Sequence, residues 1–219
     1  MGAKSKKLYI IGAGGFGREV SWLVERINAD TPSWEIAGFI DDNPVFHGNE
    51  ERGYPVLGGC EYFENIMEEV WAVCAIGSAK IRIQVTEKLR TYKNVRFATL
   101  IDPSVMISEE NTVGEGTIIC AGSIITVGIS IGNHVIVNLD CTVGHDDSIQ
   151  DFVTLYPSVN VSGNVRIERG AELGTGTQVI QGKKIGRDTI VGAGAVVIRD
   201  LPDRCVAVGV PARPVKFLD

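Results

Sequence analysis

The sequence predicts two successive architectures: an α/β unit with a parallel sheet over residues 1–100, then a parallel β-helix over residues 101–219 ending in a C-terminal tail. Three observations carry this. Residues 10–17 read IIGAGGFG, an apolar run that breaks into glycines ahead of an amphipathic stretch. Further on, GFIDDNP closes a second apolar run on two acidic residues. From Ile101 to Val197 every sixth residue is aliphatic, seventeen times in succession.

The first element is KKLYII, residues 6–11, short and apolar as a strand buried in a parallel sheet is. Too few apolar residues follow the basic ones for a signal peptide, and Lys6 stands where a myristoylation motif needs Ser or Thr. Neither export nor a lipid anchor is therefore expected. Residues 15–29 read as a helix whose apolar stripe is Val20, Leu23, Val24 and Ile27. A second strand at 34–40 ends at Asp41 and Asp42. WAVCAIG, residues 71–77, makes a third, with SAKIRIQVTEKLRTY as the helix after it. The order β-α-β-α-β-α describes a small Rossmann-like, doubly wound unit. Gly12, Gly14 and Gly17 fit G-x-G-x-x-G, which lets the backbone approach a phosphate facing the unpaired N–H groups of a helix N-terminus. A tight strand-to-helix turn with no ligand satisfies the same letters.

A period of six is neither 3.6 nor 2, so the second half is a solenoid. Glycine often follows the aliphatic residue, as at Gly114, Gly132, Gly144, Gly174, Gly186 and Gly192. Three hexads make one triangular coil with an aliphatic residue filling each side. Seventeen hexads give between five and six coils, stacked at roughly 4.8 Å.

Composition narrows the classes. A net charge of −6 and a pI near 5.2 argue against nucleic-acid or membrane-surface binding. A hydrophobic share of 44% with mean hydropathy +0.12 suffices for packed cores without a membrane-inserted segment. Five cysteines, an odd number with no C-x-x-C spacing, support neither a disulfide framework nor a zinc knuckle. They read as reduced thiols in a cytoplasmic protein.

The repeat, the ending VGAGAVVIRDLPDRCVAVGVPARPVK and the glycine-loop unit ahead of them resemble the bacterial hexapeptide acyltransferases that acetylate nucleotide-linked amino sugars, and the related sialic acid O-acetyltransferases. The likeness covers nearly the whole chain, and GVPAR after the last coil is specific to acyltransferases. It implies a left-handed coil, acetyl-CoA as donor, no metal, a nucleotide sugar as acceptor, a role in glycan biosynthesis, and a homotrimer with three inter-subunit sites.

Transfer of acetyl to an amine needs a base for the amine proton and donors for the carbonyl oxyanion. His47 and His134 read as loop or turn residues. His145 lies two positions past the inward Val143, so it projects outward, and Asp146 follows it. The resemblance makes His145 the base and Asp146 its orienter. One coil is eighteen residues, so Gly163 stacks on His145 and leaves a backbone N–H open beside it. Relatives give that glycine the oxyanion role; a turn needing positive φ is another reason for a glycine there. The resemblance carries cofactor contacts to Asn138, Thr154, Thr175 and Ala193, although Thr154 replaces a histidine frequent in relatives. It assigns the nucleotide sugar to Gly14, Gly15, Phe16, Asp41, Asp42, Gly77, Lys80 and Arg82. Thr175 and Ala193 stack on a different corner from His145 and Gly163, so one shared groove needs a second chain.

Three rivals stand beside this reading. O-acetylation of a sialic acid would use the same machinery. A zinc-dependent hexapeptide enzyme needs three converging histidines, and only His134 and His145 lie in the repeat. A non-catalytic nucleotide sensor has no use for His145, Asp146 and GVPAR together.

Overall fold

The computed structural model describes residues 5–219; Gly2, which a lipid anchor would modify, lies outside them. The chain divides into two compact units, Met1–Pro103 and Ser104–Asp219.

In the first unit β1 (Lys6–Ile11) leads through the glycine turn into α1 (Gly15–Asp30) and back to β2 (Trp34–Ile40). A small hairpin, β3 (Glu50–Glu51) and β4 (Tyr54–Pro55), precedes β5 (Val70–Cys74), α2 (Ala79–Leu89) and β6 (Val95–Phe97). The sheet order is β2-β1-β5-β6, all parallel. The chain leaves β1 to one side for β2 and returns on the other side at β5, so the carboxyl ends of these strands border a topological switch point. Leu8, Ile10, Phe39 and Val73 are buried in the sheet. Val20, Leu23 and Val24 of α1 are buried too, as the helical stripe requires.

Two local expectations fail. No α-helix joins β2 to β5. Residues 41–69 form short 3-10 turns, Pro44–Phe46 and Cys60–Asn65, and the hairpin. Pro44 and Pro55 break the segment, and Gly48, Gly53 and Gly58 take φ of 76°, 82° and 142°, which no helix accommodates. A fourth strand, β6, is only three residues long, too short to register as an alternation.

The second unit is the left-handed parallel β-helix, built from two-residue strands on three faces. Along one face Ile125, Val143, Val161, Val179 and Val197 stack in register at eighteen-residue steps. All five are buried. Four of the corners after this face turn on a left-handed residue, Gly128, Asp146, Asn164 and Gly182, with φ of 69°, 61°, 59° and 68°. Asn and Asp tolerate that region better than other side chains, which explains their recurrence at the turn. The last coil is shorter: Ile185 bridges Leu201 and Val191 pairs with Ala207, steps of sixteen. The tail then folds back as an antiparallel pair, Cys205–Val208 with Arg213–Phe217.

Candidate active site

His145 and Gly163 occupy stacked positions of one corner, and the fit between them is tight. A Cβ built on Gly163 would stand 2.5 Å from His145 Nε2 and 2.6 Å from Cε1. The imidazole therefore lies over the bare backbone of Gly163. Gly163 is not among the positive-φ residues; the left-handed residue of this turn is Asn164. Its glycine is required by the ring above it, not by backbone conformation. The Gly163 N–H has no acceptor among the described residues although the residue is buried, so a donor remains for an oxyanion.

His145 Nδ1 is 2.8 Å from Asp146 Oδ2. A carboxylate only accepts, so Nδ1 carries the proton and Nε2 presents its lone pair. The left-handed backbone of Asp146 belongs to the same corner turn. Both side chains are more than half exposed, 58% and 63%. A contact this exposed adds little to stability, though it fixes the direction in which the ring's Nδ1 points. His134, by contrast, is buried and stacks on Phe152 with ring centroids 5.1 Å apart; it is a turn residue but not a solvated one. His47 is exposed, its Nε2 2.7 Å from the Asp41 carbonyl.

The residues expected at the cofactor occupy the preceding corner and face. Thr175 and Ala193 are exposed and adjacent: the Gly194 N–H donates to the Thr175 carbonyl at 2.8 Å. Asn138 is 8% exposed and accepts the Leu139 N–H on Oδ1. Thr154 is fully buried, so direct contact with a cofactor, the role expected of it, is closed to it. Tyr156 and Glu172, bonded through the Tyr156 hydroxyl at 3.1 Å, carry polar groups beside that face which the hexad pattern does not reveal.

In the first unit a cleft of about 450 Å³ opens at the strand ends between Gly12, Asp41, Asp42, Cys60 and the α2 side chains Ile81, Gln84, Val85 and Lys88. Asp41 is built into its wall: Oδ2 accepts the Ala13 N–H and Oδ1 the Asn43 N–H, so it fastens the glycine loop to β2. Asp42 accepts the Cys60 N–H at 2.7 Å, with the Lys88 ammonium 3.4 Å away. Burial works against its ionised form, but the Cys60 N–H and Lys88 outweigh it and hold the carboxyl below its usual range.

The three glycines of the loop have separable tasks. Gly12 has φ 105°, and a Cβ on Gly17 would overlap the Gly12 carbonyl. Both are demanded by the turn itself. Gly14 has φ −76° and nothing within 4 Å of a Cβ. Open space above Gly14 and Gly15, at the start of a helix with no side-chain cap and no acid in its first turn, suits an anion. Phe16 is half-buried in that first turn, and Gly77 lies in the loop after β5.

One expectation is corrected here. Arg82 is fully buried and directs Nη1 at the carbonyls of Ile76 (2.6 Å) and Gly77 (2.9 Å), shaping the loop from behind instead of meeting a ligand. Lys80 is exposed and outside the cleft lining, where Lys88 stands instead. The signal for Lys88 is in the sequence: Ile81, Gln84, Val85 and Lys88 follow i, i+3, i+4, i+7 along one face of α2. Among the described residues no cluster of three metal-ligating side chains occurs.

Comparison with known proteins supplies the context. Residues 7–89 match the profile of the PglD N-terminal domain. A GDP-perosamine N-acetyltransferase of Escherichia coli O157:H7 is 32% identical over 84% of this chain and 82% of its own. The acetyltransferase domain of PglB from Neisseria gonorrhoeae FA1090, solved in complex with acetyl coenzyme A, superposes with a TM-score of 0.87 at 30% identity, covering 97% of this chain and 100% of that one. A His-to-Asn mutant of perosamine N-acetyltransferase from Caulobacter crescentus, in complex with CoA and GDP-perosamine, gives 0.85 at 32% identity over 96% of this chain and 97% of that one.

Proposed function

The chain belongs to the hexapeptide-repeat family of nucleotide-sugar N-acetyltransferases, and from that premise we propose which of its residues carry the reaction. It transfers acetyl from acetyl-CoA to the amino group of a nucleotide-linked amino sugar. His145 Nε2 takes a proton from the amine as its nitrogen bonds to the acetyl carbonyl carbon. The carbonyl π electrons move to oxygen, where the Gly163 N–H receives the charge. Asp146 keeps the Nδ1–H in place and faces the imidazolium that forms. When the oxyanion collapses the C–S bond breaks, the sulfur takes the proton back from His145, and an amide and free CoA result. The observation that carries this reading is the imidazole packed on Gly163 with Nε2 free.

The acceptor is read into the first unit, with its nucleotide in the cleft and its pyrophosphate at the N-terminus of α1 beside Gly14, Gly15 and Phe16. The perosamine enzyme solved with GDP-perosamine supports an acceptor of this class. Gly14→Val is the test, because Gly14 has room for a side chain and needs no left-handed backbone, so the variant folds. Acceptor affinity is expected to fall about 10-fold or more, the worth of lost hydrogen bonds to a charged group. Acetyl-CoA affinity stays unchanged, and free nucleoside diphosphates compete with acceptor in the wild type. Unchanged acceptor affinity in the variant, with no inhibition by any nucleoside diphosphate, would favour a free-sugar O-acetyltransferase instead.

We read the assembly as a homotrimer. His145 and Gly163 follow the face of Val143 and Val161, whereas Thr175 and Ala193 follow the face of Leu155, Leu173 and Val191. Two different edges of one prism form one groove only when a neighbouring chain supplies the second edge. Light scattering of the full chain at micromolar concentration is expected to give three times the chain mass; a monomer contradicts the shared groove. A cytoplasmic location fits five buried free cysteines, and no described helix is long and apolar enough to cross a membrane.

A further inference from the structure

The turn that presents His145 holds a third ionisable side chain. Asp147 follows the pair directly but points into the prism, with only 2% of its surface exposed. Its Oδ1 accepts the Val165 N–H at 2.7 Å, one coil on. Oδ2 is buried and has no hydrogen-bond partner.

At equivalent positions, four residues past an inward aliphatic, neutral side chains perform the structural part of this task. Asn111, Thr117, Ser123 and Thr189 accept the N–H groups of Ile129, Val135, Cys141 and Cys205 stacked on them. In steps of six from Val105 to Leu201, Asp147 alone is a carboxylic acid, and it lies in the one turn that carries His145. A buried carboxylate short of partners costs free energy that a Thr or Ser would not. What distinguishes Asp147 from the rest of its row is its charge and its proton, not its hydrogen bond.

We propose that Asp147 is a positioning residue of acetyl transfer, a second carboxyl in the turn that carries His145, so that the imidazole is more basic when Asp147 is ionised and less basic when it is protonated. The inference rests on His145 as the base. Burial dominates the environment of Asp147 and pushes its carboxyl up to about 7, close to where a general base works. His145 favours the ionised form and Asp146 opposes it. The coils on either side offer Ile129 and Val165 at its own position. Glu110 is engaged with the Gly128 N–H, and Arg166 faces outward to Glu168.

Folding raises this carboxyl from the unfolded value of 3.8, so the stability it contributes is complete below that value and is lost as pH climbs through about 7. At pH 8 the ionised group burdens the fold, and a neutral replacement melts no lower than the wild type. Asp147→Asn keeps an oxygen for the Val165 N–H, and Asp147→Thr copies the residue found at Thr117 and Thr189. In both, the acidic limb of the kcat/KM profile is expected to move down by about one pH unit and plateau kcat to fall about 3- to 10-fold. KM for acetyl-CoA stays the same. His145→Ala, run in parallel, reports on the base: normal turnover there removes the premise. If His145→Ala is inactive while both Asp147 variants keep the wild-type pH profile and kcat, the proposal is overturned. It is overturned equally if kcat falls only together with melting temperature and the pH profile does not move, because packing alone does that.

Discussion

Turnover by the His145→Ala protein is expected to fall about 10²-fold or more while acetyl-CoA still binds. The size follows from what is removed: the free Nε2 above Gly163, with Nδ1 held 2.8 Å from Asp146. The cost to folding is small, because the side chain is 58% exposed and its partner is another exposed side chain. Calorimetry for acetyl-CoA and steady-state rates at saturating substrates separate the two effects. The residual rate should rise with pH as unprotonated amine accumulates. Near-normal turnover would move the base elsewhere. Asp146→Asn is milder, since it weakens orientation of the ring without removing the lone pair, and it shifts the pH profile.

Gly163→Ala is expected to be nearly as severe, about 10²-fold in kcat, although it adds one methyl group. The added Cβ would stand 2.5 Å from His145 Nε2, so the imidazole must leave its place. What gives way is the end of an exposed side chain and not packed backbone, and φ at Gly163 is ordinary. The melting temperature should therefore hold while activity is lost. In a His145→Ala background the same methyl meets no ring, and the double variant should be little slower than His145→Ala alone. Additive losses would mean that Gly163 acts independently of the imidazole. A wild-type rate in Gly163→Ala would contradict the packed arrangement at this corner.

How much of this is legible in the sequence depends on how narrowly physics constrains each position. The interior of a slender prism admits one aliphatic side chain per face, so Val143, Val161 and Val179 recur without slip and the stacking of Gly163 on His145 follows by counting eighteen. Residues 41–69 are harder to read, because their path depends on prolines and left-handed glycines instead of a period. Arg82 and Lys80 carry the right charge for an anionic ligand, but burial and helix phase decide which cation faces the cleft, and that cation is Lys88. Thr154 sits at a position that a relative's pattern marks as functional, and full burial alters its task. Asp147 looks like one more polar turn residue until its depth and its unpartnered oxygen are seen.

This chain makes an amide on a nucleotide-linked sugar. The direct measurement is thiol release from acetyl-CoA with UDP-, GDP-, dTDP- and CMP-linked amino sugars, followed by mass spectrometry of the product before and after hydroxylamine. Turnover is expected with at least one of these acceptors, giving a product with one acetyl group that hydroxylamine leaves in place, as an amide does. No thiol release with any nucleotide-linked amino sugar, together with a hydroxylamine-labile acetyl ester formed on free sialic acid, would contradict it.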